Sequence, residues 1–278
     1  MSEIISNISN LIRSINPLIG LFVIFFIGLY VFWKEAVRSR KNNSSVFDIF
    51  IVSIIIGLFI GRVMYIILNW SDFSSYTWYW LPYERYGNQI YLFRLLPWRF
   101  FQFWDGQLDI LYTFLGVLLS QTLIVIFRKK WRWCELFSAM YLSNWIMIAL
   151  THLFVGVQSK NDMWIKHGVW ILIPFVLFII LQSIFMNIYT GKRKDATRIL
   201  LQNIFALIAV AIISFVYFSS SPQIVTIVGI VILLVWYIAG VVMNTIDSKK
   251  VNNVTIESVS SVRQVSIPEV TKPIRLPR

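Results

Sequence analysis

Cysteine, histidine and charge are all scarce in this chain. Cys134 is the single cysteine among 278 residues, so no intrachain disulfide and no cysteine-based metal site can form. Only His152 and His167 supply imidazole, and 14% of residues are charged against 58% hydrophobic, with a mean hydropathy of +0.70. No soluble domain of this length buries so much apolar surface, so the class is a polytopic membrane protein. Gly-x-Ser-x-Gly, His-Glu-x-x-His and P-loop patterns are missing, as is any internal repeat or heptad. No small-residue cleavage site follows the first apolar run, which therefore reads as a retained span. The last span lacks lysine, which argues against a retinal Schiff base.

Apolar runs are what the chain has in abundance. A helix needs about 20 apolar residues to cross the hydrocarbon core. Seven runs qualify: Ile15–Trp33, Ile49–Asn69, Ile110–Phe127, Leu136–Val157, Val169–Tyr189, Ile199–Phe218 and Ile224–Met243. The third is short, and reaches back to Gly106 if Asp109 is satisfied inside the bundle. The expected fold is all-α, with a seven-span domain over residues 1–243.

The net charge of +12 would suggest nucleic acid in a soluble chain, but here the cations sit in short loops. Lys34–Phe47, Arg128–Glu135 and Gly191–Arg198 hold four each and the tail from Asn244 holds six, whereas the alternate segments hold six in all. That alternation is what the positive-inside rule asks of an N-out, C-in protein with seven spans. The segment 70–109 then lies on the outer face. It is crowded with Trp70, Tyr76, Trp78, Tyr79, Trp80, Tyr83, Tyr86, Tyr91, Trp98 and Trp104. It reads either as an aromatic belt at headgroup depth or as a substrate-handling lid. Residues 244–278 are polar, contain Pro268, Pro273 and Pro277, and lack helical periodicity, so a disordered basic cytoplasmic tail is expected.

Polar residues inside spans are costly and mark candidate sites. Arg62 interrupts the second apolar run. With the orientation above, Asp105 and Asp109 lie at the outer mouth of the third span, His152 near the outer end of the fourth, and Asn144 nearer its middle. A buried Arg beside two carboxylates can clamp a phosphate, or can be ion-paired with Asp105 or Asp109. His152 can act as a general base or as a hydrogen-bonded packing residue. Asn144 reads as interhelical glue, and His167-Gly168 as an interfacial turn. A transporter or channel is disfavoured because the middle spans carry no continuous polar stripe.

Three stretches resemble one known family. Gly20-Leu21-Phe22 to Gly28, followed by a basic loop, is similar to the opening of bacterial phosphatidylglycerol–prolipoprotein diacylglyceryl transferases. Gly61-Arg62-Val63-Met64-Tyr65 resembles that family's G-R-x-x-Y segment, and Trp104-Asp105-Gly106 with Gly116 resembles its W-D-G-G stretch. The resemblance covers roughly Gly20 to Gly116. It implies a multi-pass enzyme of the bacterial plasma (inner) membrane. Such an enzyme moves diacylglyceryl from phosphatidylglycerol to the lipobox cysteine thiol of a preprolipoprotein signal peptide, with no metal or other cofactor. In a divergent member of that family Arg62, Tyr65 and Asn144 would hold lipid phosphate, and Asp105, Asp109 and His152 would have taken over the chemistry. The family's histidine falls on Leu111, its first-span tyrosine on Ile19, and its fourth-span arginine on Tyr141. A non-catalytic relative that binds anionic lipid or an acylated peptide in an outer cleft is the alternative expectation.

Overall fold

The computed structural model describes residues 10–37, 41–87, 89–101, 108–188, 192–220 and 223–263. Among them are seven helices long and apolar enough to cross a membrane, and the protein is an all-α polytopic membrane protein. The spanning helices are α1 (Pro17–Val37), α2 (Asn43–Leu68), α4 (Ile110–Leu123, closing in a widened turn to Arg128), α5 (Trp133–Ser159), α6 (Asp162–Ile188), α7 (Lys192–Ser220) and α8 (Ile224–Arg263). Between α2 and α4 lie a one-turn helix α3 (Trp70–Ser74), a hairpin of β1 (Tyr83–Tyr86) and β2 (Gln89–Leu92), and a 3-10 turn at Trp98–Phe101.

Helix α5 is the hub. Within its membrane-length window 72% of residues are buried, the highest share of the seven, and α1, α6, α4 and α8 all pack on it. Its core residues Phe137, Tyr141 and Trp145 are wholly enclosed. Trp145 donates from Nε1 to the Ile171 carbonyl at 2.9 Å, tying α5 to α6. The outward faces carry Phe22, Phe26, Ile55, Phe59, Trp170 and Phe215. Such a continuous apolar exterior suits lipid rather than water as solvent.

The basic segments meet at one end of the bundle. Lys41 pairs with Glu135 at 2.6 Å and Arg198 with Glu35 at 2.9 Å, while Lys129 donates to Ser45 Oγ at 3.0 Å. The opposite end collects Arg62, Asp109, His152 and Tyr217.

Helices α2 and α4 touch backbone to backbone. A β-carbon at Gly61 would meet Thr113 Oγ1 at 1.8 Å, and one at Gly57 would meet the Thr113 carbonyl oxygen at 2.7 Å. From the other side, Gly116 faces the Gly57 Cα. The two glycines four apart on α2 make the small-residue seam that lets membrane helices pack closely.

Helix α4 starts at Ile110, as its apolar run does, with Asp109 as its cap. Two expectations change. His167 and Gly168 lie inside α6; the turn falls earlier, where Lys160 takes a left-handed φ of 54° and Asn161 Oδ1 accepts from Met163 and Trp164 amides. Helix α8 runs on to Arg263 where unstructured chain is expected after Met243. Lengthening an existing helix adds a hydrogen bond per residue with no new nucleus to form. The three tail prolines lie outside the described residues.

Candidate functional site

Arg62 is enclosed, at 1% exposure. It faces the loop between α3 and α4. Its Nε donates to the Phe100 carbonyl at 3.0 Å and its Nη2 to the Arg99 carbonyl at 2.7 Å. The guanidinium also lies 5.8 Å from the Tyr65 ring centroid and 5.5 Å from that of Phe73. The burial of this charge is therefore compensated by carbonyl dipoles and ring faces, and the 3-10 turn is pinned to the bundle.

The α2–α4 seam brings Asp109 beside it. The Asp109 N–H donates to the Gly61 carbonyl at 3.2 Å, and its Oδ1 accepts the Tyr112 amide at 2.9 Å, as an N-cap does. Burial raises the Asp109 carboxyl above its ordinary value, opposed by the amides of Tyr112 and Leu111. Asp105, with Trp104 and Gly106, lies outside the described residues.

His152 is 2% exposed on α5. Its Nδ1 lies 2.8 Å from the Ile148 carbonyl. A carbonyl only accepts, so Nδ1 carries the proton and Nε2 is left as an acceptor. The ring stacks on Trp164 of α6 with centroids 5.2 Å apart and meets Tyr217 of α7 edge-on at 5.5 Å. The Tyr217 hydroxyl is buried and makes no hydrogen bond among the described residues. Asp109 lies within electrostatic reach of that phenol. Imidazole, phenol and carboxyl thus come from α5, α7 and the α4 cap to one end of the bundle, an arrangement that can accept and pass a proton. Tyr217 is missing from the sequence reading because an aromatic in an apolar run gives no signal of its own.

Asn144 lies two helical turns from His152, about 12 Å along the axis. Its Nδ2 donates to Gln121 Oε1 at 3.2 Å and to the Met140 carbonyl at 2.7 Å. It joins α5 to α4 in the middle of the bundle, away from the Arg62 end, as the glue reading has it.

Tyr65 opens onto a cavity of about 310 Å³, lined also by Asp72, Phe73, Ser75, Tyr76 and Arg99. The Arg99 guanidinium lies 3.8 Å from the Tyr76 ring centroid, and its buried Nε has no hydrogen-bond partner among the described residues. No group of three or more His, Cys, Asp or Glu side chains able to hold a metal occurs among the described residues. Compared with protein-family models, with characterised proteins and with solved structures, the chain matches none.

Proposed function

We propose that this chain is a membrane protein of the phosphatidylglycerol–prolipoprotein diacylglyceryl transferase type, working at the outer leaflet of a bacterial inner membrane. The observation that carries the reading is the contact of His152 with Tyr217 at the end of the bundle where Asp109 caps α4 and Arg62 is buried. In the proposed reaction His152 Nε2 takes the proton of a lipobox thiol, directly or through Tyr217. The sulfur attacks the diacylglyceryl carbon, the carbon–oxygen bond to phosphate breaks, and glycerol phosphate leaves carrying the electron pair. Donors aimed at the leaving phosphate lower that barrier, and Arg62 supplies positive potential there.

One observation favours the second reading, a non-catalytic binder of anionic lipid or acylated peptide. Arg62 donates to the carbonyls of Arg99 and Phe100, and Asp109 caps a helix, so both have structural employment. The deciding experiment incubates the purified full chain with labelled phosphatidylglycerol and a lipobox peptide. Labelled peptide that forms with the unchanged chain and not with His152→Ala supports transfer. Lipid retained without transfer supports the binder, and neither transfer nor retention removes both readings.

A further inference from the structure

Asp72 and Arg99 carry opposite charge into one opening and are not ion-paired among the described residues. Asp72 lies on the one-turn helix α3, where its main chain is engaged: the N–H donates to the Asn69 carbonyl at 3.0 Å and the carbonyl accepts from Ser75 Oγ at 2.7 Å. Its carboxylate makes no hydrogen bond among the described residues. Arg99 is held from the other side by the carbonyl that Arg62 grips and by its own Nη1, which donates to the Arg94 carbonyl at 3.3 Å. Its Nε is buried without an acceptor among the described residues, so the terminal nitrogens are what Arg99 presents to the cavity. The rings of Tyr65, Phe73 and Tyr76 line the same opening and already carry the Arg62 and Arg99 guanidiniums, so Asp72 is the group left there to receive a cation.

A lone anion in this cavity would meet Asp72, and a lone cation would meet Arg99. A molecule carrying both charges satisfies both. The depth of the cavity selects among such molecules. Tyr65 belongs to the last turn of a spanning helix, and the neighbouring Trp70 and Trp80 are 54% and 93% exposed, where indole groups take up headgroup level. We propose that the cavity binds the headgroup of a zwitterionic phospholipid, its phosphodiester on Arg99 and its ammonium on Asp72. This lipid is distinct from the phosphatidylglycerol of the transfer reaction, and the site does not depend on that reaction taking place.

The test uses the full-length protein in detergent with equimolar phosphatidylethanolamine and phosphatidylglycerol, and reads retained lipid by native mass spectrometry. The wild type is expected to retain phosphatidylethanolamine about fivefold over phosphatidylglycerol, the range one partly exposed ion pair supplies. Asp72→Asn should abolish the preference while leaving phosphatidylglycerol retention as it was. Arg99→Gln should weaken both lipids, and Arg99→Lys should restore part of the loss. Neither change touches the Arg99 carbonyl that holds the loop, and an unchanged melting temperature confirms that the variants fold. Soluble phosphoethanolamine should displace the lipid where glycerol phosphate does not. Equal retention of the two lipids by the wild type, or a preference that survives Asp72→Asn, overturns the proposal. Diacylglyceryl transfer, measured separately, is expected to survive Asp72→Asn, so failure here and failure of the transferase reading are distinguishable.

Discussion

The Arg62 guanidinium reaches from α2 to the Arg99 carbonyl, Nη2 to oxygen 2.7 Å, and so fixes a loop segment 37 positions further along the chain. Removing the side chain leaves the Arg99 and Phe100 carbonyls short of a charged donor. Each such bond contributes about 1.5–3 kcal/mol. Arg62→Ala is therefore expected to lower the melting temperature sharply and to raise hydrogen exchange at residues 96–101. Arg62→Lys, which can serve one carbonyl at a time, should lie between. Unchanged exchange in that turn would show that the tie contributes nothing.

At the α2–α4 seam, Thr113 Oγ1 occupies the space a β-carbon on Gly61 would need. Gly61→Val forces the helices apart, at about 1–3 kcal/mol for overpacking. Thr113→Gly should recover much of that loss in the double variant, because it clears the hydroxyl and Cβ nearest the new side chain. Additive losses, measured by a thermal double-mutant cycle, would mean the two positions do not share this contact.

Tyr217 offers a separation of stability from function. Burying an unpartnered hydroxyl costs about 1–3 kcal/mol, so Tyr217→Phe is expected to leave stability unchanged or to raise it by about 1 kcal/mol. If the phenol takes part in proton transfer, the same change should lower diacylglyceryl transfer by about 10²-fold or more. Destabilisation by Tyr217→Phe would mean that the hydroxyl has a partner in the folded protein.

The proposed orientation has its own measurement. In a Cys134→Ser background, Ser74→Cys stands at the Arg62 end and Ser44→Cys at the basic end, both at exposed positions. A membrane-impermeant maleimide should label the first on intact cells and the second only after permeabilisation, as the positive-inside bias requires. The reverse pattern would invert the protein and remove the outer-leaflet site.

The spans were legible in the sequence because hydropathy alone decides them: each observed spanning helix overlaps its expected run. The α2–α4 pairing was present only as two glycines, Gly57 and Gly61, whose meaning depends on what faces them. The loop 70–109 showed its aromatics but not its hairpin, since Tyr83–Tyr86 and Gln89–Leu92 are short and lack clean alternation. Arg62 stood out as a charge among apolar residues. Arg99 did not, because a cation in a polar loop is ordinary until the fold encloses its Nε. The tail misled because composition reports solvent preference and is silent about a helix entering from upstream.

Helix α1 rests mainly on α5 and only lightly on its sequence neighbour α2, while α2 leans on α4. During synthesis the opening two spans therefore enter the bilayer before their principal companions exist. The first must wait through two further crossings, its glycine-lined face against acyl chains, until the fourth emerges. Maturation of the bundle is consequently a late, lateral event within the lipid, and a nascent chain halted after the third crossing should be the natural client of a membrane chaperone.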